Sequence, residues 1–267
     1  MDAAPAARLE RIAADETHGS SWLAREAVAA VVEAAKRGED PLELARKLAQ
    51  ARPDIGAIAG ALGRVLVAGR TTEQLVEEAE ALIGSRERAA ATIAVLLREE
   101  LEEKIVMTHS ASATAREALI HAGPGRVVCT VSEPAGEGRA FAAELAEAGL
   151  TTEVVADEDA ERAIGMVDML LLGADTVFRD GSLLNKVGTS PLTKAAARRK
   201  VPVVVACEVL KVAPADPHRP DEGRVDLTPP KRITRYVTEE GIFAPEDIAA
   251  LVDRTPFLAE GYELLQA

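Results

Sequence analysis

Apolar positions in the first hundred residues recur with the spacing of helices. Leu23, Ala27, Ala30 and Val31 keep the i, i+4, i+7, i+8 interval of one buried face. Asp40-Pro41-Leu42-Glu43 reads as a helix start, with Asp as cap and Pro in the first turn. Thr71-Thr72-Glu73-Gln74 opens a helix expected to bury Leu75, Ala79, Leu82 and Ile83, and a further helix is expected to bury Ile93, Leu96, Leu97 and Leu101. Beyond residue 103 the pattern changes to short, wholly apolar runs: Ile105–Met107, Val127–Val131, Val154–Ala156, Met169–Leu172 and Val203–Ala206. Helical stretches such as Phe141–Ala148 and Leu192–Arg199 separate them. Continuous apolar strands alternating with helices predict a parallel sheet covered on both faces. The expected fold is therefore α/β, with a helical N-terminal domain over residues 1–103 and a Rossmann-like, doubly wound domain over 104–267. Pro214–Pro220 reads as an irregular excursion.

In such sheets ligands bind beyond the carboxyl ends of the strands. Four loops qualify: Thr108–Ser112, Ser132–Arg139, the segment at Asp157, and Gly173-Ala174-Asp175. In the second, Gly136-x-Gly138 followed by Asp157 is a partial dinucleotide fingerprint. Phe141 stands where the third glycine belongs and Glu137 faces the pyrophosphate position, so an ordinary tight turn explains it better. After the fourth loop, Thr176–Leu184 reads as two extended arms around a turn. Asn185-Lys186 then leads to Gly188-Thr189-Ser190-Pro191, a helix start whose free N–H groups would seat a phosphate. Asp175, at the end of an apolar strand, needs a cleft or a partner.

Composition adds exclusions. Of 267 residues, 48% are hydrophobic and 3% aromatic; 44 Asp and Glu against 31 Lys and Arg give a net charge of −13. The apolar fraction supports a folded core, and an acidic chain is a poor general binder of nucleic-acid backbones. No apolar run is long enough for a membrane helix and the N-terminus lacks a signal-peptide plan, so a cytoplasmic protein is expected. Cys129 and Cys207 lie in apolar runs and are expected as buried thiols rather than a disulfide. Two readings of the acidity stand: a solvated surface from a GC-rich genome, or adaptation to high salt.

Gly173-Ala174-Asp175 … Asp180-Gly181 … Asn185-Lys186-Val187-Gly188-Thr189 closely resembles the initiation factor 2B-like superfamily, which includes subunits of translation initiation factor 2B and sugar-phosphate isomerases. Arg52-Pro53, Thr108-His109, Glu208 with Lys211, Leu227-Thr228-Pro229-Pro230 and Val237–Gly241 resemble further family elements in the same order. The resemblance implies a helical domain before a Rossmann-like one, and a homodimer or larger homo-oligomer. It also implies a pocket for a phosphosugar or nucleotide, with no metal and no cofactor. The family's isomerases use a Cys after Thr-His together with the Asp of Gly-Ala-Asp. Here Asp175 is kept and the Cys position is Ser110, whose hydroxyl ionises far less readily than a thiol. His109 is either a base beside it or a structural loop residue. The isomerases' Glu-x-Arg-Pro is replaced by Glu133-Pro134-Ala135-Gly136, with Glu137 adding negative charge and Arg139 one turn into the helix. His18–Ser21 is the nearest counterpart of an N-terminal Arg-Gly-Ala element.

The expected site therefore comprises Asp175 and Ser110 for chemistry. Arg52, His109, Ser112, Glu133, Arg139, Asn185, Lys186, Gly188 and Thr189 are expected to bind substrate or phosphate, with Arg52 open to being a mere surface arginine. The chain is expected to be a regulatory or translation-related subunit with such a pocket and a translation-factor protein partner, without direct nucleic-acid or membrane contact. The alternative is an aldose–ketose isomerase acting on ribose 1,5-bisphosphate.

Overall fold

The computed structural model describes residues 5–69, 71–218 and 223–266. Five helices come first: α1 (Pro5–Ala14), α2 (Ser20–Lys36), α3 (Pro41–Ala51), α4 (Gly56–Ala68) and α5 (Thr72–Leu101). Their starts follow from the caps legible in the sequence. Asp40 accepts from the N–H groups of Leu42 (2.9 Å) and Glu43 (3.3 Å), and Thr71 forms a reciprocal box with Gln74.

Helix α5 corrects the expectation of two helices, running unbroken for 30 residues. Gly84 and Ser85 lie inside it without a proline to stop it. Its buried line runs through Leu75, Leu82, Ala89, Ile93, Leu97 and Leu101. Ile83 and Leu96, expected inside, are 50% and 38% exposed. Each sits one residue away from a buried leucine, which on a helix is a rotation of about 100°.

The remaining chain builds β1 (Ile105–Thr108), α6 (Ala113–Ala122), β2 (Arg126–Thr130), α7 (Glu137–Glu147), β3 (Thr152–Val155), α8 (Ala160–Ala163) and β4 (Met169–Leu172). A hairpin of β5 (Thr176–Phe178) and β6 (Leu183–Lys186) follows, as the two extended arms predicted, and then α9 (Thr189–Arg199) and β7 (Val203–Ala206). The end of the chain holds β8 (Val212–Ala213), β9 (Val225–Thr228), β10 (Arg235–Thr238), β11 (Gly241–Phe243), α10 (Ile248–Asp253) and α11 (Pro256–Gln266). The main sheet has the order β11-β10-β7-β4-β1-β2-β3 and is parallel except for β11, which pairs antiparallel with β10. This is the doubly wound order, with the switch point between β1 and β4. A second sheet, β8-β5-β6-β9, lies beyond the carboxyl end of β4 in the chain. Between β8 and β9 the segment is irregular as far as His218, while Arg219 and Pro220 lie outside the described residues.

Alternate residues of the central strands feed two cores. Val106, Val127, Leu171 and Val204 pack under α5, α6 and α7, through residues such as Leu97, Leu119 and Phe141. Met107, Val128, Leu170 and Val203 pack under α9 and α10, through Leu192, Ala196 and Leu251. The C-terminal helix α11 bridges the sheet and the helical layer: Leu258 joins the sheet core, while Leu264 and Leu265 join the core of the helical layer, with Leu210. Both cysteines are free and buried, and burial pushes each thiol up to about 12. No helix among the described residues is long and apolar enough to cross a membrane.

The helical layer meets the segment after β7 with almost no spare space. A Cβ on Gly60 of α4 would stand 2.0 Å from the Leu210 carbonyl oxygen, whereas one on Gly19 would meet nothing within 4 Å. Gly60→Ala is therefore expected to cost about 1–3 kcal/mol in urea unfolding, and Gly19→Ala less than about 0.5 kcal/mol.

Candidate functional site

The loops after β1 and β4 flank the switch point and open a cavity of about 620 Å³ between the sheet and the helical layer. Arg52, His109, Ser110, Ser112, Asp175, Asn185 and Lys186 all face it. Four predicted site residues do not. Glu133 is exposed and gives its N–H to Asp157 (2.7 Å), and Arg139 points to solvent from the first turn of α7. Gly188 gives its N–H to the Asp226 carboxylate (2.7 Å), which also takes the N–H of Ser190 (3.2 Å). Thr189 is fully buried; its hydroxyl donates to the Lys186 carbonyl (2.6 Å) and accepts from Asn185 (3.1 Å). The phosphate seat expected at the start of α9 is thus filled by the chain's own carboxylate, which satisfies the same N–H groups a ligand would need.

The partial dinucleotide fingerprint resolves the same way. Asp157, the candidate ribose acceptor, spends its oxygens on the N–H groups of Ser132 (2.9 Å) and Glu133 (2.7 Å). A Cβ on Gly138 would fall 1.8 Å from the Thr130 carbonyl, so this glycine serves the close β2–α7 turn.

His109 is a positioning residue. Its Nε2 donates to the Val187 carbonyl (2.8 Å), so Nδ1 is left to accept from the Thr130 hydroxyl (2.7 Å). Burial pushes its pKa down and keeps the ring neutral. With both nitrogens engaged it offers no base to Ser110. Ser112 caps α6 by accepting from Ala115 (3.3 Å). Arg52 is no surface arginine: it is buried and grips Asp54 through Nε (3.2 Å) and Nη2 (3.1 Å), while Nη1 donates to the Asp15 carbonyl (2.8 Å).

Two polar clusters remain on the cavity wall. Asp175 is held by burial, which raises its pKa to about 6 against the pull of Lys211, and Ser20 donates to its carboxylate. Lys211 is itself buried, with Nζ on the Ala174 carbonyl (2.7 Å). Behind them Glu208 forms a bidentate pair with Arg86 of α5 (2.7 and 2.9 Å), which tethers the helical layer to the sheet. Burial alone would raise the Glu208 pKa; the Arg86 guanidinium overrides it and holds the carboxyl low.

The second cluster is one the sequence did not assemble. Ser110, with φ at +64°, turns its hydroxyl to donate to Glu137 Oε1 (2.7 Å), and Lys186 Nζ binds the same carboxylate at 3.0 Å. At the cavity mouth His18 stacks on Trp22 at 3.7 Å and bonds Asp15 (2.7 Å), and Arg224 pairs with Glu16. The segment His18–Ser21 does line the cavity.

The family model of the initiation factor 2 subunit family matches residues 16–222. The chain belongs to that family. A ribose 1,5-bisphosphate isomerase of Haloferax volcanii is 31% identical over 78% of this chain and 76% of its own length. A translation initiation factor eIF-2B subunit 2-like protein of Pyrococcus abyssi is 28% identical over 89% of this chain and 95% of its own. Among solved structures, the tetrameric eIF2B-beta2-delta2 complex of C. thermophilum matches with a TM-score of 0.80 at 19% identity, covering 94% of this chain and 93% of that one. A helical N-terminal region followed by a parallel-dominant sheet is the fold this chain shares with that solved structure.

The raised pKa of Asp175 carries a sign that can be measured. Between its ordinary value of 3.8 and about 6 the folded state holds the extra proton, so stability from this group falls as pH rises and the full cost is present above pH 6. Asp175→Asn is expected to stabilise the fold by about 2–3 kcal/mol at pH 8 and by well under about 1 kcal/mol at pH 4, in chemical unfolding at the two pH values.

Proposed function

We propose that this initiation factor 2B-like protein is a regulatory or translation-related member of its family that holds a phosphosugar or nucleotide in the cavity at the switch point. One observation carries the reading. The position following Thr108-His109 presents a hydroxyl, Ser110, already committed to Glu137, while His109 has both ring nitrogens engaged. Nothing at that position resembles the easily ionised thiol on which the family's isomerases rely. Asn185 and Lys186 still face the cavity and suit a phosphate group.

The second reading, a sugar-phosphate isomerase of the ribose 1,5-bisphosphate type, is favoured by Asp175. A carboxyl poised near pH 6 that lines the cavity is suited to proton transfer. The isomerase relative from Haloferax volcanii supports it too.

We propose that the protein works in the cytoplasm and in concentrated salt, on the grounds that Asp and Glu outnumber Lys and Arg by 44 to 31 and that a relative comes from Haloferax volcanii. We further propose a homodimer or larger homo-oligomer, with a translation-factor protein as partner. Val95 (62% exposed) and Leu96 (38%) on α5 and Ile120 (39%) on α6 are the exposed apolar side chains that support such contacts.

Incubation with ribose 1,5-bisphosphate in high salt, with and without AMP, separates the two readings. The regulatory reading expects sugar-phosphate binding without formation of ribulose 1,5-bisphosphate. Turnover that Asp175→Asn abolishes would establish the isomerase instead.

A further inference from the structure

The cations facing the cavity differ in how easily an anion could claim them. Arg52 is locked between Asp54 and two backbone carbonyls, those of Ile12 and Asp15. Lys211 is 4% exposed and holds the Ala174 carbonyl beside Asp175. Removing either from its partner would leave a buried charge uncompensated, which is expensive. Lys186 is different. Its partner Glu137 is the first residue of α7, and the two side chains are 17% and 24% exposed. Glu137 can therefore rotate toward water with its charge still solvated, and release Lys186. Ser110 would follow, since its hydroxyl donates to the same carboxylate and can turn to any replacement acceptor.

Resting on the phosphosugar reading above, we propose that Glu137 is an internal anion that occupies the phosphate subsite of Lys186, Asn185 and Ser110 until a ligand phosphate displaces it. The carboxylate stands in for one phosphate oxygen pair: it takes a hydroxyl hydrogen bond and an ammonium, the same donors an incoming phosphate would use. The start of α9, the next nearest place for an anion, is closed by Asp226. Among the described residues this leaves a single deep position for a phosphate. The mouth arginines Arg116 and Arg224 sit in exposed pairs, with side chains 40% and 39% accessible, and hold a second phosphate only weakly. The ligand class is thus a sugar carrying one phosphate rather than two, and Glu137 sets the affinity by competing for Lys186.

The test is isothermal titration with ribose 5-phosphate and ribose 1,5-bisphosphate, on the wild-type chain, Glu137→Gln, Glu137→Ala and Lys186→Met. Glutamine keeps an acceptor for Ser110 without the charge, and the alanine variant guards against a glutamine-specific contact. Wild type is expected to bind the bisphosphate no more tightly than the monophosphate. Both Glu137 variants are expected to bind ribose 5-phosphate tenfold or more tightly than wild type, and Lys186→Met to lose binding. Unchanged or weaker binding by both Glu137 variants, with Lys186→Met still without binding, overturns the role of Glu137 and leaves the phosphosugar pocket standing. Wild-type preference for the bisphosphate by more than tenfold overturns the single-phosphate class. Binding of neither sugar by any of the proteins overturns both the inference and the reading beneath it.

Discussion

Charge buried at the carboxyl ends of the strands has to be compensated by the chain itself, and this requirement organises the whole region. An ion removed from water without a partner costs several kcal/mol, so most are met by a specific group of the chain, and Asp175, incompletely met, keeps its proton up to about pH 6 instead. Glu208 meets Arg86 across the boundary between sheet and helical layer. Asp54 meets Arg52, Asp226 meets the N–H groups opening α9, and Asp157 meets those of the loop after β2. Glu137 meets Lys186. Several of the 44 acidic residues therefore act as internal ligands of the fold, and the net charge of −13 describes the solvent-facing surface only in part.

The parallel strands β1, β2, β3, β4 and β7 were legible because a sheet covered on both faces needs short apolar runs bounded by turns. Similar runs at residues 27–32 and 93–97 lie inside longer helical periods, and β8 to β11, in mixed polar sequence, were not read as strands. The caps at Asp40 and Thr71 were legible for an equally local reason: each side chain bonds N–H groups two or three residues away. What escaped sequence reading was long-range. Asp226 lies 38 residues from Gly188, and Glu137 lies 49 from Lys186 and 27 from Ser110. Spacing cannot show that a distant carboxylate will fill a helix start, so Gly188 and Thr189 read as an open anion seat. Exposure of Ile83 and Leu96 was likewise hidden, because an unbroken α5 selects one face while the residues were read as two separate helices.

Family membership and local chemistry pull in different directions here, and the structure shows where. Asp175, Asn185 and Lys186 stand together on the cavity, as the resemblance implies. The position of the isomerases' thiol instead holds a serine in a left-handed conformation, tied to a glutamate. A fold shared with translation factor subunits, beside a sequence likeness to an isomerase, does not decide between the two. The decision lies in a few groups around Ser110, whose hydroxyl shares the Glu137 carboxylate with Lys186.

That contact is open to direct inspection. A crystal of the protein soaked with ribose 5-phosphate is expected to show the phosphate within hydrogen-bond distance of Lys186 Nζ and the Ser110 hydroxyl, with the Glu137 side chain turned away toward solvent. A sugar phosphate bound in the cavity with the Glu137–Lys186 pair intact would contradict the displacement on which the reading of this site depends.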